Sequence, residues 1–111
     1  MARSRVLTLG TLSSNVTPQL IHTVGAGGEA IDLAQFTNTS TQTVTITLAV
    51  KKQGVAGLKT VVKNYPITVS DASIKPFAGR LYFAAGDEIY GRASAADVVD
   101  YVINGIGGFL E

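Results

Sequence analysis

The clearest pattern in the chain is the strict alternation of apolar and hydroxyl-bearing positions in TVTITLAV, residues 43–50. Successive side chains of a strand point to opposite faces, so one face of this segment is apolar and the other is rich in hydroxyl groups. β-branched residues, which suit a pleated surface, fill five of its first six positions. The pattern predicts a half-buried antiparallel strand that continues to Lys51 or Lys52. Its apolar side consists of Val44, Ile46, Leu48 and Val50.

Similar short runs recur along the chain between clusters of turn-forming residues. The predicted strands besides the central one are 19–24, 29–36, 58–65, 74–77, 81–83, 88–93 and 98–103. The opening segment, 1–15, is predicted to be an arm that ends in a strand, because terminal segments are ordered only where they dock.

Two of these strands contain predicted irregularities. In the third, Phe36 has the opposite parity to Ile31 and Leu33, so a bulge near Ala34 or Gln35 is expected to restore the alternation. Pro66 is expected to end the ladder of the strand 58–65, because proline has no N–H to donate, and residues 67–69 could resume the strand after it.

About eight short strands with turn signals roughly every 8–12 residues predict an all-β protein. The predicted fold is an antiparallel β-sandwich, which can be a jelly roll, with extended termini. The predicted organisation is an N-terminal arm or first strand at 1–15, a sandwich domain at 16–105 and a C-terminal tail at 106–111. One helix competes with this interpretation, because Ser94 could cap SAADVVDYVI and Asp97 could complete a capping box. The β-branched residues of that segment favour a strand.

Composition then points to association. Charged residues make up 15% of the 111 residues, against about 25% in typical domains, whereas hydrophobic residues reach 46%. A small sandwich has few interior positions, so we expect some apolar surface to be covered by other copies, as a trimer or dimer, or by other proteins. A well-packed monomer with a Thr/Ser-rich surface is the alternative.

The charge balance, the lack of cysteine and the opening segment argue against several kinds of partner and chemistry. Nine basic and eight acidic residues give a net charge of +1, so no specific nucleic-acid partner is expected. The chain has no cysteine, which excludes disulfides and thiol chemistry. The opening residues lack the continuous apolar run of a signal peptide, and no segment has the length of a membrane helix, so no membrane partner is expected.

Three short features could support chemistry, and each has a simpler explanation. GAGGEA, residues 25–30, partly matches a dinucleotide-binding loop, but a helix should follow it and a strand is predicted instead. His22 is the only histidine and has no predicted nucleophile or carboxylate cluster around it. Asp87 and Glu88 are adjacent on an extended backbone and should face opposite ways. We therefore predict no catalytic residue, no enzyme activity and no cofactor.

Other polar and aromatic clusters leave alternatives open. The acidic pair Asp97 and Asp100 could bind calcium, although turn formation explains it more simply. A basic cluster is expected around the loop at 53–57, where it either protects a sheet edge from aggregation or meets an acidic surface. It consists of Lys51, Lys52, Lys59 and Lys63. The aromatic residues of the second half could form a sugar-binding platform, although packing is commoner. They are Tyr65, Phe77, Tyr82, Phe83, Tyr90 and Tyr101.

Two segments resemble the small all-β virion proteins of tailed bacteriophages. LIHTVGAGGEAIDLAQFTNTSTQTVTITLAV resembles their opening, with a strand, a glycine turn, and a strand ending in an N-T-S turn before a Thr/Val strand. LYFAAGDEIYGRASAADVVDYVINGI resembles their closing segment. Together they cover somewhat over half of the chain and leave out the N-terminal arm and residues 53–77. The resemblance implies a shared fold, without a single shared duty and without a catalytic motif.

The combined prediction is a structural virion protein of a tailed phage, assembled in the bacterial cytoplasm and located in the virion. Its expected role is capsid decoration or cement, through contacts with further copies and with the major capsid protein or another virion protein. The alternatives are a small tail, neck or baseplate component, or a carbohydrate-binding module at a tail tip. Strand addition by the terminal arms is the expected mechanism. The predicted interface residues are Val6, Leu7, Leu9, Leu12, Phe109 and Leu110.

Overall fold

The computed structural model describes residues 5–15, 17–68 and 81–107, and every structural statement below concerns these residues. This part of the chain is all-β, as the sequence predicts. The helix considered for SAADVVDYVI does not form, because its first residues make a turn and the rest belong to the last strand. The strands are β1 (Arg5–Thr11), β2 (Gln19–Thr23), β3 (Glu29–Asn38), β4 (Val44–Lys51), β5 (Lys59–Ile67), β6 (Leu81–Phe83), β7 (Glu88–Ala93) and β8 (Val99–Gly107).

The strands form two four-stranded sheets. The first has the order β1-β8-β3-β6 and the second the order β2-β7-β4-β5, with every ladder antiparallel. Consecutive strands alternate between the sheets except for β4 and β5, which are neighbours in the second sheet, and this strand order is the jelly-roll arrangement. The antiparallel sandwich predicted from the sequence is therefore confirmed, and its topology is that of a jelly roll.

The core lies between the two sheets and draws on nearly every strand. Its fully buried side chains come from alternate positions, as the two-residue period of a strand requires. Leu12 closes one end of this core from the connection between β1 and β2, where its backbone N–H donates to the carbonyl of Val99 at 2.9 Å. The largest fully buried side chains are Leu12, Ile31, Phe36, Ile46, Leu48, Ile67, Ile89, Val99 and Ile103.

Two predicted irregularities are wrong in position. The bulge of β3 lies between Ile31 and Leu33, where the register with β8 shifts, and not at Ala34 or Gln35. Ala34 and Phe36 are consequently inward, whereas Leu33 is not. Pro66 does not end its ladder, since β5 continues to Ile67 with Pro66 opposite Thr45. β5 is an edge strand, and one side of an edge strand needs no ladder hydrogen bond.

The predicted segment boundaries also shift. Of the two alternatives for the opening segment, an arm or a first strand, the described residues Arg5–Thr11 form a first strand, which pairs with β8 along its length. At the other end, residues 106 and 107 continue β8 instead of beginning a tail. The strand predicted at 74–77 lies outside the described residues.

Gly105 of β8 permits a close backbone approach. It pairs with Ile31 at the bulge of β3, and a Cβ built on it would overlap the backbone carbonyl oxygen of Ala30. We expect Gly105→Ala to lower the free energy of unfolding by at least ~2 kcal/mol, because backbone must move to admit the methyl group. Gly25→Ala is the matched control, since its Cβ would meet only Glu29 Oε2, at 3.4 Å. Equal stability of the two variants in urea denaturation would contradict this role of Gly105.

Leu12 and Leu9 allow a second test within one short segment. Leu12 is fully buried (0% exposed) and Leu9 is 67% exposed. Leu12→Ala should therefore cost about 2–5 kcal/mol in the free energy of unfolding, through lost burial and the cavity left behind. Leu9→Ala should change the stability of the single chain by less than ~0.5 kcal/mol. Denaturation at low protein concentration compares them, and a large loss for Leu9→Ala alone would contradict the assignment of faces.

Candidate interaction surfaces

The outer face of the first sheet carries three of the exposed large hydrophobic residues, Val6, Leu9 and Tyr82. Its residues alternate with the buried ones of β1, β3 and β8, and its register aligns them in rows across the sheet. Val6 and Leu9 of β1 are 51% and 67% exposed. The face consists of Val6, Leu9, Thr11, Leu33, Gln35, Thr37, Tyr82, Asp100, Val102, Asn104 and Ile106, with the buried Ala30 between Tyr82 and Ile106.

Asn104 lies at the centre of the apolar part of this face. Its register partners on the two neighbouring strands are Val6 and Leu33. Val102 and Ile106 lie two residues before and after it on β8, on the same side of the strand. The Oδ1 atom of Asn104 is buried without a hydrogen-bond partner. A polar atom buried without a partner costs free energy, and among the described residues this oxygen has none.

Among the described side chains of this face, charge lies at the margin. Asp100 is the one charged residue among its described side chains, and it lies at the end of the face where β8 begins. Its Oδ1 accepts a hydrogen bond from the Thr11 hydroxyl at 2.8 Å. Among the described side chains, those in register with Asn104 are the apolar residues Val6 and Leu33.

The outer face of the second sheet is different in character. Threonines of β4 and charged residues of β7 and β4 alternate with the buried positions of the same strands. Lys51 is directly opposite Glu88, and Thr47 is opposite Arg92. The Glu88 carboxylate accepts a hydrogen bond from the Tyr90 hydroxyl at 2.9 Å and thereby raises the pKa of Tyr90. Leu20 of β2, opposite Tyr90, is 48% exposed on the same side, so this face combines polar residues with one exposed apolar side chain.

The structure divides the six predicted interface residues. Val6 and Leu9 lie on the outer face of the first sheet, as a contact role requires. Leu7 is partly buried and packs against the core. Leu12 cannot serve as an interface residue in this conformation, because it lies inside the sandwich. Phe109 and Leu110 lie outside the described residues.

At the end of the sandwich where β6 turns into β7, Asp87 connects two loops. Its Oδ1 accepts from the backbone N–H of Gln53 at 3.0 Å, and its Oδ2 accepts from that of Ala84 at 3.0 Å and from Lys52 Nζ at 3.4 Å. Burial by itself would raise the pKa of Asp87, but the two N–H donors and the ammonium outweigh it and lower the pKa below 3.8. Asp87 therefore has a structural explanation as a loop clamp.

His22 also has a structural explanation. Its Nε2 lies 2.5 Å from Glu29 Oε1, which joins β2 of one sheet to β3 of the other. Glu29 is buried, and its Oε2 accepts from the backbone N–H of Gly25 at 3.2 Å. The glycine loop before Glu29 leads into a strand, as predicted, and Gly27 and Gly28 adopt positive φ angles within it. The pair fastens the two sheets at this end.

The tyrosines do not form one platform. Tyr101 is buried and Tyr90 lies on the outer face of the second sheet, opposite Ala49. Tyr65 pairs with Ile46 on β4, and Tyr82 with Ala30 on β3, in different sheets. Phe83 packs partly buried against the core, and Phe77 lies outside the described residues.

The basic cluster and the acidic pair have ordinary positions. Lys59 and Lys63 lie on β5, an edge strand, which fits the expected protection of an edge. Lys52 pairs with Asp87. Asp97 adopts a φ of 59° in the turn before β8, and Asp100 is exposed on β8. Among the described residues no group of three or more His, Asp or Glu side chains is arranged to hold a metal ion, and none forms a helix long and apolar enough to cross a membrane.

Asp87 provides a test in which pH matters. Asp87→Asn keeps the shape but places an NH₂ group against N–H donors, so at neutral pH it should lower the free energy of unfolding by about 1–3 kcal/mol. Because the folded pKa lies below the unfolded value of about 3.9, this deficit exists above that value and shrinks as the pH falls through the folded pKa. Urea denaturation at a series of pH values measures it.

Lys52→Met is the control for the Asp87 experiment. The Lys52 side chain is 67% exposed, so removing its charge should change stability by less than ~0.5 kcal/mol. A loss for Lys52→Met as large as that for Asp87→Asn would show that the ion pair, and not the backbone donors, fastens the loops.

Comparisons with known proteins add one structural neighbour. No family model matches the chain, and no curated protein matches it. Among solved structures, the chain is similar to one titled Eiger TNF from S. frugiperda, with 15% identity and a TM-score of 0.45. The match covers 96% of this chain and 88% of that one. The jelly-roll assignment rests on the strand order of the chain itself.

Proposed function

We propose that the chain is a structural subunit that works by association, as a decoration or cement protein on the capsid of a tailed bacteriophage. The observation that carries the association is the apolar outer face of the first sheet. The phage particle as the setting comes from the resemblance of two segments of the sequence to small virion proteins. The fold by itself does not select a function, because many unrelated functions share it.

The energetic argument for association is the cost of leaving this face in water. Apolar surface that is removed from water stabilises a complex by about 25 cal/mol per Å2. Contiguous apolar patches of several hundred Å2 usually mark an interaction site. Val6, Leu9 and Val102 lie side by side on this face, so covering them brings a continuous apolar area out of water.

The mechanism differs from the one expected from sequence. The first strand is part of the sandwich, so its side chains contribute to a surface instead of reaching out as a free arm. The contact with the major capsid protein or another virion protein is then made between surfaces of folded domains. Strand addition by residues 1–4 or 108–111 stays a prediction.

The proposal is tested on the virus particle. Virus particles are purified by density gradient from a culture that produces the chain. They are examined by quantitative mass spectrometry and then by cryo-electron microscopy. The expected result is a copy number in a fixed ratio to the major capsid protein, with sandwich-shaped density on the shell. Absence of the chain from intact particles would reject a virion role, and density confined to the tail or neck would reject the capsid assignment.

A further inference from the structure

We infer that the side of β5 that faces away from β4 binds an extended acidic segment of a partner protein, which adds to the second sheet as a fifth strand. This edge belongs to a different sheet from the apolar face behind the proposed function, and the inference goes beyond that function. Three observations carry it: the length of the edge, two lysines that form no ion pair with the described residues, and the exposed apolar side chains beside them.

β5 is the longest edge strand in the described part of the sandwich. It has nine residues, and among the described strands only β4 pairs with it. Alternate N–H and C=O groups of such a strand point away from the sheet. The other edges offer less backbone, because β6 has three residues, and β1 and β2 meet each other where the Thr8 hydroxyl donates to the carbonyl of Ile21 at 3.2 Å. β5 is therefore the edge best suited to strand addition.

The charge on this edge favours an acidic partner. Lys59 and Lys63 are exposed on β5, and within the described part of the chain neither forms an ion pair. Lys52, by contrast, already pairs with Asp87. Opposite charges on neighbouring strands stabilise their pairing, so carboxylates on a strand laid beside β5 would meet two ammonium groups that are available to them.

Exposed apolar side chains accompany these lysines. Val61 and Tyr65 belong to β5, and Val55 and Leu58 lie in the loop before it. A nucleic acid or an anionic lipid surface would use the charge but could not continue the ladder of the sheet. A polypeptide uses all three features, because its backbone pairs with the edge while its side chains meet the lysines and the apolar residues.

A second copy of β5 is a poor occupant of this edge. Antiparallel pairing of two such strands centred on Val61 would place Lys59 of one chain opposite Lys63 of the other, and like charges directly opposite each other destabilise a sheet. The lysines therefore protect the edge from aggregation and, by the same charge, attract an acidic strand.

The first experiment asks whether the edge is open and whether a strand can close it. Amide hydrogen exchange of the full chain, followed by NMR, should show fast exchange at alternate amides of β5. The probe is a seven-residue peptide with two glutamates at each end and Val-Thr-Val between them, and at saturation it should slow these amides at least tenfold. Protection of every β5 amide in the free chain, or exchange that the peptide leaves unchanged, would overturn the inference.

The second experiment tests the lysines by fluorescence anisotropy of the labelled peptide. Lys59→Gln combined with Lys63→Gln should weaken binding at least tenfold. Thr17→Glu combined with Ala26→Glu is the matched control, because both positions are exposed and the net charge changes by the same amount. The control should bind the peptide within about threefold of the wild-type chain, because attraction between exposed charges is local at physiological ionic strength. Equal losses for the two double variants would show that net charge alone attracts the peptide, which would overturn the inference.

The third experiment separates strand pairing from charge. The same peptide with three consecutive N-methylated residues at its centre keeps its carboxylates but cannot form a ladder on either side, so its affinity should fall at least tenfold. Equal affinity of the methylated peptide would reject strand addition. A single-stranded oligonucleotide or a phosphatidylserine vesicle that binds the chain as tightly as the unmodified peptide would reject a polypeptide as the partner.

Discussion

The chain has one place in which to bury its apolar side chains, the layer between two four-stranded sheets, and each strand must keep its inward parity to reach that layer. A shift of one residue would turn every following side chain outward. The register irregularities of β1, β2 and β3 occur between Val6 and Thr8, Leu20 and His22, and Ile31 and Leu33. Each irregularity restores the alternation of inward and outward side chains, so that Phe36, Tyr101 and the residues around them pack between the two sheets.

The fold could be predicted from the sequence to a large extent, because its signal is local. The period of β4 and the turns between strands are visible in a few adjacent residues. The bulge of β3 was misplaced by two or three positions, since either site restores the parity of Phe36 and only the pairing with β8 decides between them. Leu12 was assigned to a surface because the sequence does not show that the connection after β1 folds over the core.

The interaction surface could be predicted only in part, for a different reason. Val6 and Leu9 were identified as contact residues from their apolar character. Val102 and Asn104 were not, because they become their neighbours only when β1 pairs with β8, about ninety residues away in the chain. A surface assembled across strands has no local sequence signal. The connection that Asp87 makes between two loops has no local sequence signal either, since two of its three donors, Lys52 and the Gln53 N–H, come from a loop more than thirty residues earlier.

The strand order also bears on how the chain acquires its shape during synthesis. All four strands of the second sheet have been synthesised once Ala93 has been added. The first sheet is still incomplete at that point, because β8 is the strand that joins β1 to β3. β1, the first strand to be synthesised, therefore stays unpaired until β8 is complete. Until then, its apolar side chains depend on dilution or on chaperones to avoid non-native contacts.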